Sequence, residues 1–175
     1  MKKAIFLDRD GVINKEKSYL YNVEEFEFIE GIFETCRYFK SLGYLIIVIT
    51  NQAGIARGIY SENDFIKLTD WMIKEFEKEN VKIDKVYYCP HHPDFTGKCS
   101  CRKPEPGMIL KAKSEFGIDL KNSILVGDKN SDIEAGLKAG VGRSFLITTG
   151  HKIVENKFQV PVLSNLIELI NLKFY

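Results

Sequence analysis

A chain of 175 residues with 45% apolar and 28% charged side chains has the length and make-up of an ordinary globular protein with a full hydrophobic core. Its 25 basic and 24 acidic residues leave a formal charge of +1 and no long block of either sign, which removes the electrostatic case for a nucleic acid or an anionic membrane as partner. Lys2 and Lys3 precede an apolar run that Asp8 ends after four residues, and the strongest run, Leu45–Ile49, is far short of a membrane span. A cytoplasmic protein is expected.

Ala4–Leu7 is a short unbroken apolar run, the pattern of a strand buried on both faces. It leads into Asp8-Arg9-Asp10-Gly11, two carboxylates one residue apart with a glycine behind them. Lys15–Glu30 reads as an irregular excursion rich in aromatic and glutamate residues, and Gly31–Leu42 as a helix closed by Gly43. Tyr44–Ile49 is a second strand, delivering Thr50-Asn51-Gln52 to its end. Ser61-x-x-Asp64 caps a long helix whose apolar stripe is Phe65, Leu68, Met72 and Phe76. Asp84–Tyr88 is a third strand, followed by a loop with three of the four cysteines and two of the three histidines. Pro106–Phe116 is helical, with proline in the first turn. Ser123–Val126 is a fourth strand ending in Gly127-Asp128, Ser131-x-x-Glu134 reads as the cap of the next helix, and Arg143–Ile147 is a fifth strand. The tail, Val160–Tyr175, adds a short strand and a helix from near Ser164.

Strands alternating with helices at this spacing predict an α/β fold, a doubly wound, Rossmann-like parallel sheet with right-handed crossovers, in a single domain over residues 1–175. Asp8 and Asp10, Thr50 and Asn51, and Asp128 each follow a short apolar run. All three sites therefore emerge at the carboxyl edge, where open α/β sheets place their ligands.

Two carboxylates held close repel unless a cation lies between them, and a hard divalent ion such as magnesium favours oxygen ligands and brings phosphate with it. Taken alone, an aspartate turn at a strand end explains Asp8 and Asp10 equally well. Joined by a hydroxyl at Thr50, an ammonium at Lys103 and a further carboxylate at Asp128, the set suits phosphoryl transfer through a covalent intermediate. Asp8 is read as the nucleophile that forms an aspartyl-phosphate. Magnesium on Asp8, Asp10 and Asp128, together with Lys103, offsets the repulsion between carboxylate and phosphate. Thr50 and the backbone amides around Arg9 and Asn51 donate to phosphoryl oxygens. Asp10 protonates the leaving oxygen and then deprotonates the attacking water, a role typically worth ~10²–10⁴ in rate.

Asp8-x-Asp10-Gly11-Val12, Thr50 after a strand, Lys103, and Gly127-Asp128 with Asp132 beyond it resemble, in order, the four motifs of haloacid dehalogenase-like phosphatases. The resemblance covers residues 4 to 147 and implies the same roles for Asp8, Asp10, Thr50, Lys103 and Asp128, with Asp132 standing behind the metal ligands. Many members of that superfamily insert a cap domain. Here the stretch between Asp8 and Thr50 holds one helix and a loop, so a core without a cap is expected, its crevice open and walled in part by Glu16–Tyr19.

Cys89-Pro90-His91-His92-Pro93 and Cys99-Ser100-Cys101 put three thiols and two imidazoles within thirteen residues. Without a secretion signal, clustered cysteines read as metal ligands before disulfides, and a closed tetrahedral zinc site needs four of them. Either histidine fits on spacing. Similarity to the ligand position of related phosphatases selects His91, giving Cys89, His91, Cys99 and Cys101. Pinned by structural zinc, the loop 89–101 would hold Arg102 and Lys103 rigidly at the crevice. Cys36 stands apart on a helical stripe with Ile32, Phe33 and Phe39, as a small buried hydrophobe.

A zinc loop in a member without a cap resembles two groups of phosphatases, one acting at C7 of D-glycero-D-manno-heptose 1,7-bisphosphate and one on histidinol phosphate. Thr50-Asn51-Gln52-Ala53-Gly54-Ile55-Ala56-Arg57-Gly58, Arg102-Lys103-Pro104 with Pro106-Gly107-Met108, and Phe26–Gly31 are similar to the heptose group. That similarity implies a magnesium-dependent sugar-bisphosphate phosphatase serving nucleotide-activated heptose and lipopolysaccharide synthesis. Substrate contacts would come from Arg9, Tyr19, Asn51, Gln52, Ala53, Arg102 and Lys129. Arg102, with its planar fork, is read as gripping a part of the substrate other than the transferring group. In the plainer reading Arg57 is a solvated loop arginine, Lys129 a helix-start lysine and Tyr19 a packing partner of Tyr21. No exposed apolar repeat is evident, and a monomer is expected.

Overall fold

The structure, a computed structural model, describes residues 1–174. Six strands, β1 (Lys3–Leu7), β2 (Tyr44–Asn51), β3 (Lys85–Cys89), β4 (Ile124–Gly127), β5 (Arg143–Ile147) and β6 (Val162–Leu163), stand side by side in the order β3-β2-β1-β4-β5-β6. Every neighbouring pair is parallel. The helices are α1 (Ile32–Ser41), α2 (Ala53–Ala56), α3 (Glu62–Lys78), α4 (Pro93–Thr96), α5 (Gly107–Phe116), α6 (Asn130–Ala139) and α7 (Ile167–Asn171). The chain starts in the middle of the sheet, winds outward to β3, then crosses back to β4 and winds out the other way. That reversal puts a topological switch point between β1 and β4, where a crevice opens beyond the carboxyl ends. Leu7 is level with Val48 on one side and Val126 on the other, so Asp8, Thr50 and Asp128 leave the sheet at nearly one height.

Because side chains alternate along a strand, the sheet feeds two cores. Ile5, Leu7, Ile46, Val48, Ile124 and Val126 pack with Ile32, Cys36 and Phe39 of α1, Leu68, Met72 and Phe76 of α3, and Leu169 of α7. Ala4, Phe6, Ile47, Ile49 and Leu125 pack on the other face with Met108, Ile109 and Ala112 of α5 and Ile133 and Ala135 of α6. The aromatic excursion is anchored. Asn14 bridges to Phe28, and Phe28 meets Phe26, Phe33, Trp71 and Phe76 at ring-centroid distances of 4.8–5.9 Å. Cys36 is fully buried as a free thiol, and burial pushes its pKa up to about 12.

The Ser61 cap forms as expected, with Asp64 N–H donating to Ser61 Oγ at 3.1 Å and Ser61 N–H to Asp64 Oδ2 at 2.9 Å. The Ser131 cap does not. Helix α6 starts two residues earlier, with Lys129 at the N-cap, and Asp132 reaches back to accept from Lys129 N–H at 3.0 Å. Ser131 then lies inside the first turn, while Glu134 pairs with Lys138 at 3.1 Å. Pro106 sits at the N-cap of α5 rather than in its first turn, and the single turns α2 and α4 carry no periodic pattern. The tail helix begins at Ile167, three residues past Ser164, and Tyr175 lies outside the described residues. Among the described residues no helix is long and apolar enough to cross a membrane.

Phe76 ties the excursion to the sheet, fully buried with its ring edge-on to Phe28 and Phe33. Phe76→Ala should cost about 3–5 kcal/mol. Urea unfolding should read that as a lower midpoint with unchanged slope.

Candidate active site and metal centre

A cavity of about 510 Å³ opens at the carboxyl edge over β1, β2 and β4. Of the residues singled out from the sequence, Asp8, Arg9, Asp10, Tyr19, Asn51, Gln52, Ala53, Arg102, Lys103 and Lys129 line it. Thr50 and Asp128 do not line it, and both are almost fully buried.

The Lys103 ammonium, 4% exposed, stands at the floor. It lies 2.9 Å from Asp8 Oδ1 and 2.7 Å from Asp132 Oδ1, and donates to the Ile49 carbonyl at 2.9 Å. Burial opposes its charge, but Asp132 and Asp8 outweigh burial and hold the pKa above the ordinary lysine value. Burial pushes Asp8 up to about 8, with Lys103 pulling down and Asp132 and Asp128 pushing further up. The Asp8, Asp128 and Asp132 carboxylates bring oxygens within 4.8 Å of one another. Asp128 Oδ2 accepts from His151 N–H at 2.7 Å and lies 2.6 Å from His151 Nδ1, while its Oδ1 is buried with no partner. An orphaned buried carboxylate oxygen beside two further carboxylates is the donor set a hard divalent cation takes. Gly11, at φ +90°, makes room for the Asp128 carboxylate: a Cβ there would sit 2.4 Å from Asp128 Oδ2.

Asp10 stands apart from that group. Its two oxygens take Arg9 Nη2 at 2.8 and 3.0 Å, and Asn14 Nδ2 and Gln52 Nε2 donate at 3.0 and 3.2 Å. Against the effect of burial, the Arg9 guanidinium holds its pKa below the usual carboxylate value. Of the expected metal set, the Asp8 and Asp128 side chains are grouped with that of Asp132, while both Asp10 oxygens accept from Arg9. Arg9 itself is buried, with Nη2 also donating to the Leu20 carbonyl at 3.0 Å. The Asn51 amide is likewise engaged, donating to the Lys103 carbonyl at 3.0 Å and accepting from Lys103 N–H at 3.0 Å. It fastens the main chain of Lys103.

The second cluster lies where the sequence puts it. Cys89 Sγ, Cys99 Sγ, Cys101 Sγ and His91 Nδ1 converge, with separations of 3.0 Å for Cys89–Cys101, 3.4 Å for Cys99–Cys101 and for His91–Cys101, and 3.6 Å for Cys89–Cys99 and for Cys89–His91. All the cysteines are free. Thiolates around tetrahedral zinc at the usual bond length stand roughly 3.8 Å apart, close to these spacings. His92 is otherwise occupied: its Nδ1 accepts from Asp94 N–H at 3.2 Å as the cap of α4, and its Nε2 faces Arg57 at 3.3 Å. Of the two histidines, it is His91 that converges with the three thiols. Directly after Cys101, Arg102 donates through Nη1 to the His91 carbonyl at 3.2 Å.

With this geometry in view, residues 100–166 match the HAD-hydrolase-like family model. The chain is 54% identical to the D-glycero-alpha-D-manno-heptose-1,7-bisphosphate 7-phosphatase of Campylobacter jejuni, over 97% of this chain and 94% of that one. It is 48% identical to the corresponding beta-anomer phosphatase of Vibrio cholerae, over 88% and 86% of the two chains. The chain belongs to the D-glycero-D-manno-heptose-1,7-bisphosphate 7-phosphatases. Its structure is similar to the crystal structure of a D,D-heptose 1,7-bisphosphate phosphatase from B. bronchiseptica complexed with magnesium and phosphate, with a TM-score of 0.85, 27% identity, and 98% and 99% of the two chains covered.

Glu16, from the stretch read as a wall of the crevice, lines the cavity, as do Tyr60 and His151, which the sequence reading did not single out. His151 was within reach, since β5 ends at the same carboxyl edge and its trailing loop had to open there. Nothing in the local pattern marks Tyr60. Tyr21 stacks on Tyr60 at 5.4 Å, and Tyr19, at φ 61°, lies 5.9 Å beneath the Arg57 guanidinium, which also covers Phe95 at 5.1 Å.

Asn51→Ala removes both clamps on the Lys103 main chain without touching the ammonium. Turnover should fall on the order of 10²-fold, as expected when a charged group drifts by an ångström. Steady-state kinetics beside a thermal melt should show that loss with the fold retained.

Proposed function

We propose that this protein removes the C7 phosphate of D-glycero-D-manno-heptose 1,7-bisphosphate, as a single-domain, monomeric, magnesium-dependent enzyme of the cytoplasm. The observation that carries the reading is the buried Asp8–Lys103 pair facing the unpartnered Asp128 oxygen, in a chain so similar to phosphatases of that name. Asp8 attacks phosphorus, the bond to the sugar oxygen breaks, and the phosphoryl group rests on the Asp8 carboxylate until water removes it. Lys103 and the Thr50 hydroxyl take the charge on the phosphoryl oxygens. Asp10 carries the proton to the leaving sugar oxygen and later takes one from the attacking water. Its lowered pKa suits the second step, and the negative charge of an arriving phosphate moves it toward the protonated form needed for the first. Asp8 and Asp128 would hold magnesium, with Asp10 left its main-chain oxygen to offer. The ion supplies positive charge that lets a carboxylate approach a phosphate dianion. The magnesium and phosphate of the B. bronchiseptica structure support this assignment.

Cys89, His91, Cys99 and Cys101 would hold one structural zinc ion. Cys99→Ser should lower melting temperature and activity together, and metal analysis of reduced protein should find one zinc per chain that mild chelator leaves in place.

Arg102 lines the cavity beside Lys103 but turns to the His91 carbonyl, which leaves most of its donors for a second anionic group at C1. Phosphate release from both anomers of the heptose bisphosphate should far exceed release from histidinol phosphate. Arg102→Ala should cut kcat/KM steeply for the bisphosphate and only weakly for a simple monophosphate ester. Equal losses would assign Arg102 to the transferring phosphate or to the loop.

A further inference from the structure

The side-chain amide of Gln52, 2% exposed, lies between the two groups that the reaction asks most of. Its nitrogen donates to Asp10 Oδ2 at 3.2 Å and to Thr50 Oγ1 at 2.8 Å, which uses both amide hydrogens. Turning the amide over would set its oxygen against the Asp10 carboxylate, acceptor against acceptor. The amide oxygen therefore faces Tyr60, and the Tyr60 hydroxyl has to be the donor between them. Tyr60 is 6% exposed, and burial pushes its phenol up to about 12, so the proton it donates stays in place. The ring is seated from two sides. Tyr21 stacks on it, and Gly54 lies so close beneath that a Cβ there would stand 2.1 Å from Tyr60 Cε1.

The consequences reach both catalytic groups. Asp10 Oδ1 accepts from Arg9 Nε, Arg9 Nη2 and Asn14, whereas Oδ2 accepts only from Arg9 Nη2 and Gln52. The oxygen that Gln52 steadies is the one with more capacity left for a proton. Thr50 Oγ1, already accepting from Gln52, keeps its own hydrogen for another acceptor. We propose that Tyr60 is a positioning residue for the acid–base step: by fixing the Gln52 amide it aims the Asp10 carboxylate at the leaving oxygen and reserves the Thr50 hydrogen for the phosphoryl group. This rests on Asp10 being the acid–base group proposed above.

The test compares two esters, the sugar bisphosphate, whose alkoxide must be protonated as it leaves, and p-nitrophenyl phosphate, whose phenolate leaves without a proton. Tyr60→Phe keeps the ring and its stack while removing the donor. It should lower kcat/KM, which reports the steps up to departure of the leaving oxygen and not the shared hydrolysis of the aspartyl-phosphate, about tenfold on the sugar ester, the scale of one hydrogen bond, with a much smaller loss on p-nitrophenyl phosphate. Gln52→Ala should show the same selectivity more strongly, and adding Tyr60→Phe to it should cost nothing further. Equal losses on the two esters, or an undiminished Tyr60→Phe loss without Gln52, would overturn the proposal even if one variant proved less stable. Asp10→Asn separates the two claims. If it is selective for the sugar ester while Tyr60→Phe is not, the relay alone fails; if it is unselective, the acid–base reading fails and takes the proposal with it.

Discussion

A lysine ammonium cannot be buried without partners, and the site is arranged around meeting that demand for Lys103. Left alone in a low-dielectric interior the charge would be costly, and a single carboxylate would meet only part of the cost. Here Asp8, Asp132 and the Ile49 carbonyl all lie within 2.9 Å of Nζ. Asp8 follows β1, Ile49 belongs to β2, and Asp132 lies in the first turn of α6. One cation thereby locks three elements around the switch point. Gly127 allows the closest of these approaches, since a Cβ there would stand 2.2 Å from that of Asp132. The same carboxylate also accepts from Lys129 N–H, so the start of α6 and the placement of the ammonium are one arrangement.

Asp8 and Asp10 show how little residue type says about charge state. They lie two residues apart, Asp8 buried and Asp10 half-buried, and their surroundings push them in opposite directions. Burial raises Asp8, and Lys103 does not offset it against two further carboxylates; at Asp10 a guanidinium and two amides outweigh burial and the pKa falls. Such separation of neighbouring titratable groups is what assigns different roles to chemically identical side chains. In the proposed reaction the crowded carboxylate is the nucleophile, whose charge a bound cation would favour, and the wrapped one handles protons.

Much of this was legible in the sequence because a parallel sheet is buried on both faces. The runs Ala4–Leu7, Tyr44–Ile49 and Ser123–Val126 are therefore unbroken, and the polar residues that end them mark the carboxyl edge. What was not legible depends on partners distant in the chain. Ser131-x-x-Glu134 is as good a local cap as Ser61-x-x-Asp64, but only the second pattern faces no competitor. At α6 the Lys103 ammonium draws Asp132 inward, and the helix start moves with it. Asn51 reads as a ligand-facing amide because it ends a strand, yet its partner is the main chain 52 residues on. His91 and His92 are equivalent by spacing and are told apart by a helix cap that needs α4 to exist. The Asp10 carboxylate reads as a metal ligand from its spacing, and nothing in the local sequence shows that the fold turns Arg9 back upon it.

The thiol–imidazole cluster acts on the crevice through the residues that come directly after it in the chain. Cys101 is succeeded at once by Arg102 and Lys103, and the segment then closes on itself, with Glu105 N–H donating to the Arg102 carbonyl at 2.8 Å and Gly107 N–H to the Ser100 carbonyl at 3.0 Å. Gly107 has no room for a side chain, because a Cβ would stand 2.2 Å from that carbonyl oxygen. Lys103 is therefore held from behind by the cluster, from ahead by this turn, and across the sheet by the Asn51 amide. None of these restraints touches a reacting atom, yet together they set where the ammonium stands relative to Asp8. A long loop without such anchors would have to order itself each time a substrate arrived, at the cost of conformational entropy in every turnover. An open crevice without a cap has no lid to impose that order. Rigidity has to be built into the floor, and the thiol–imidazole cluster, the closed turn and the buried lysine are how this chain builds it.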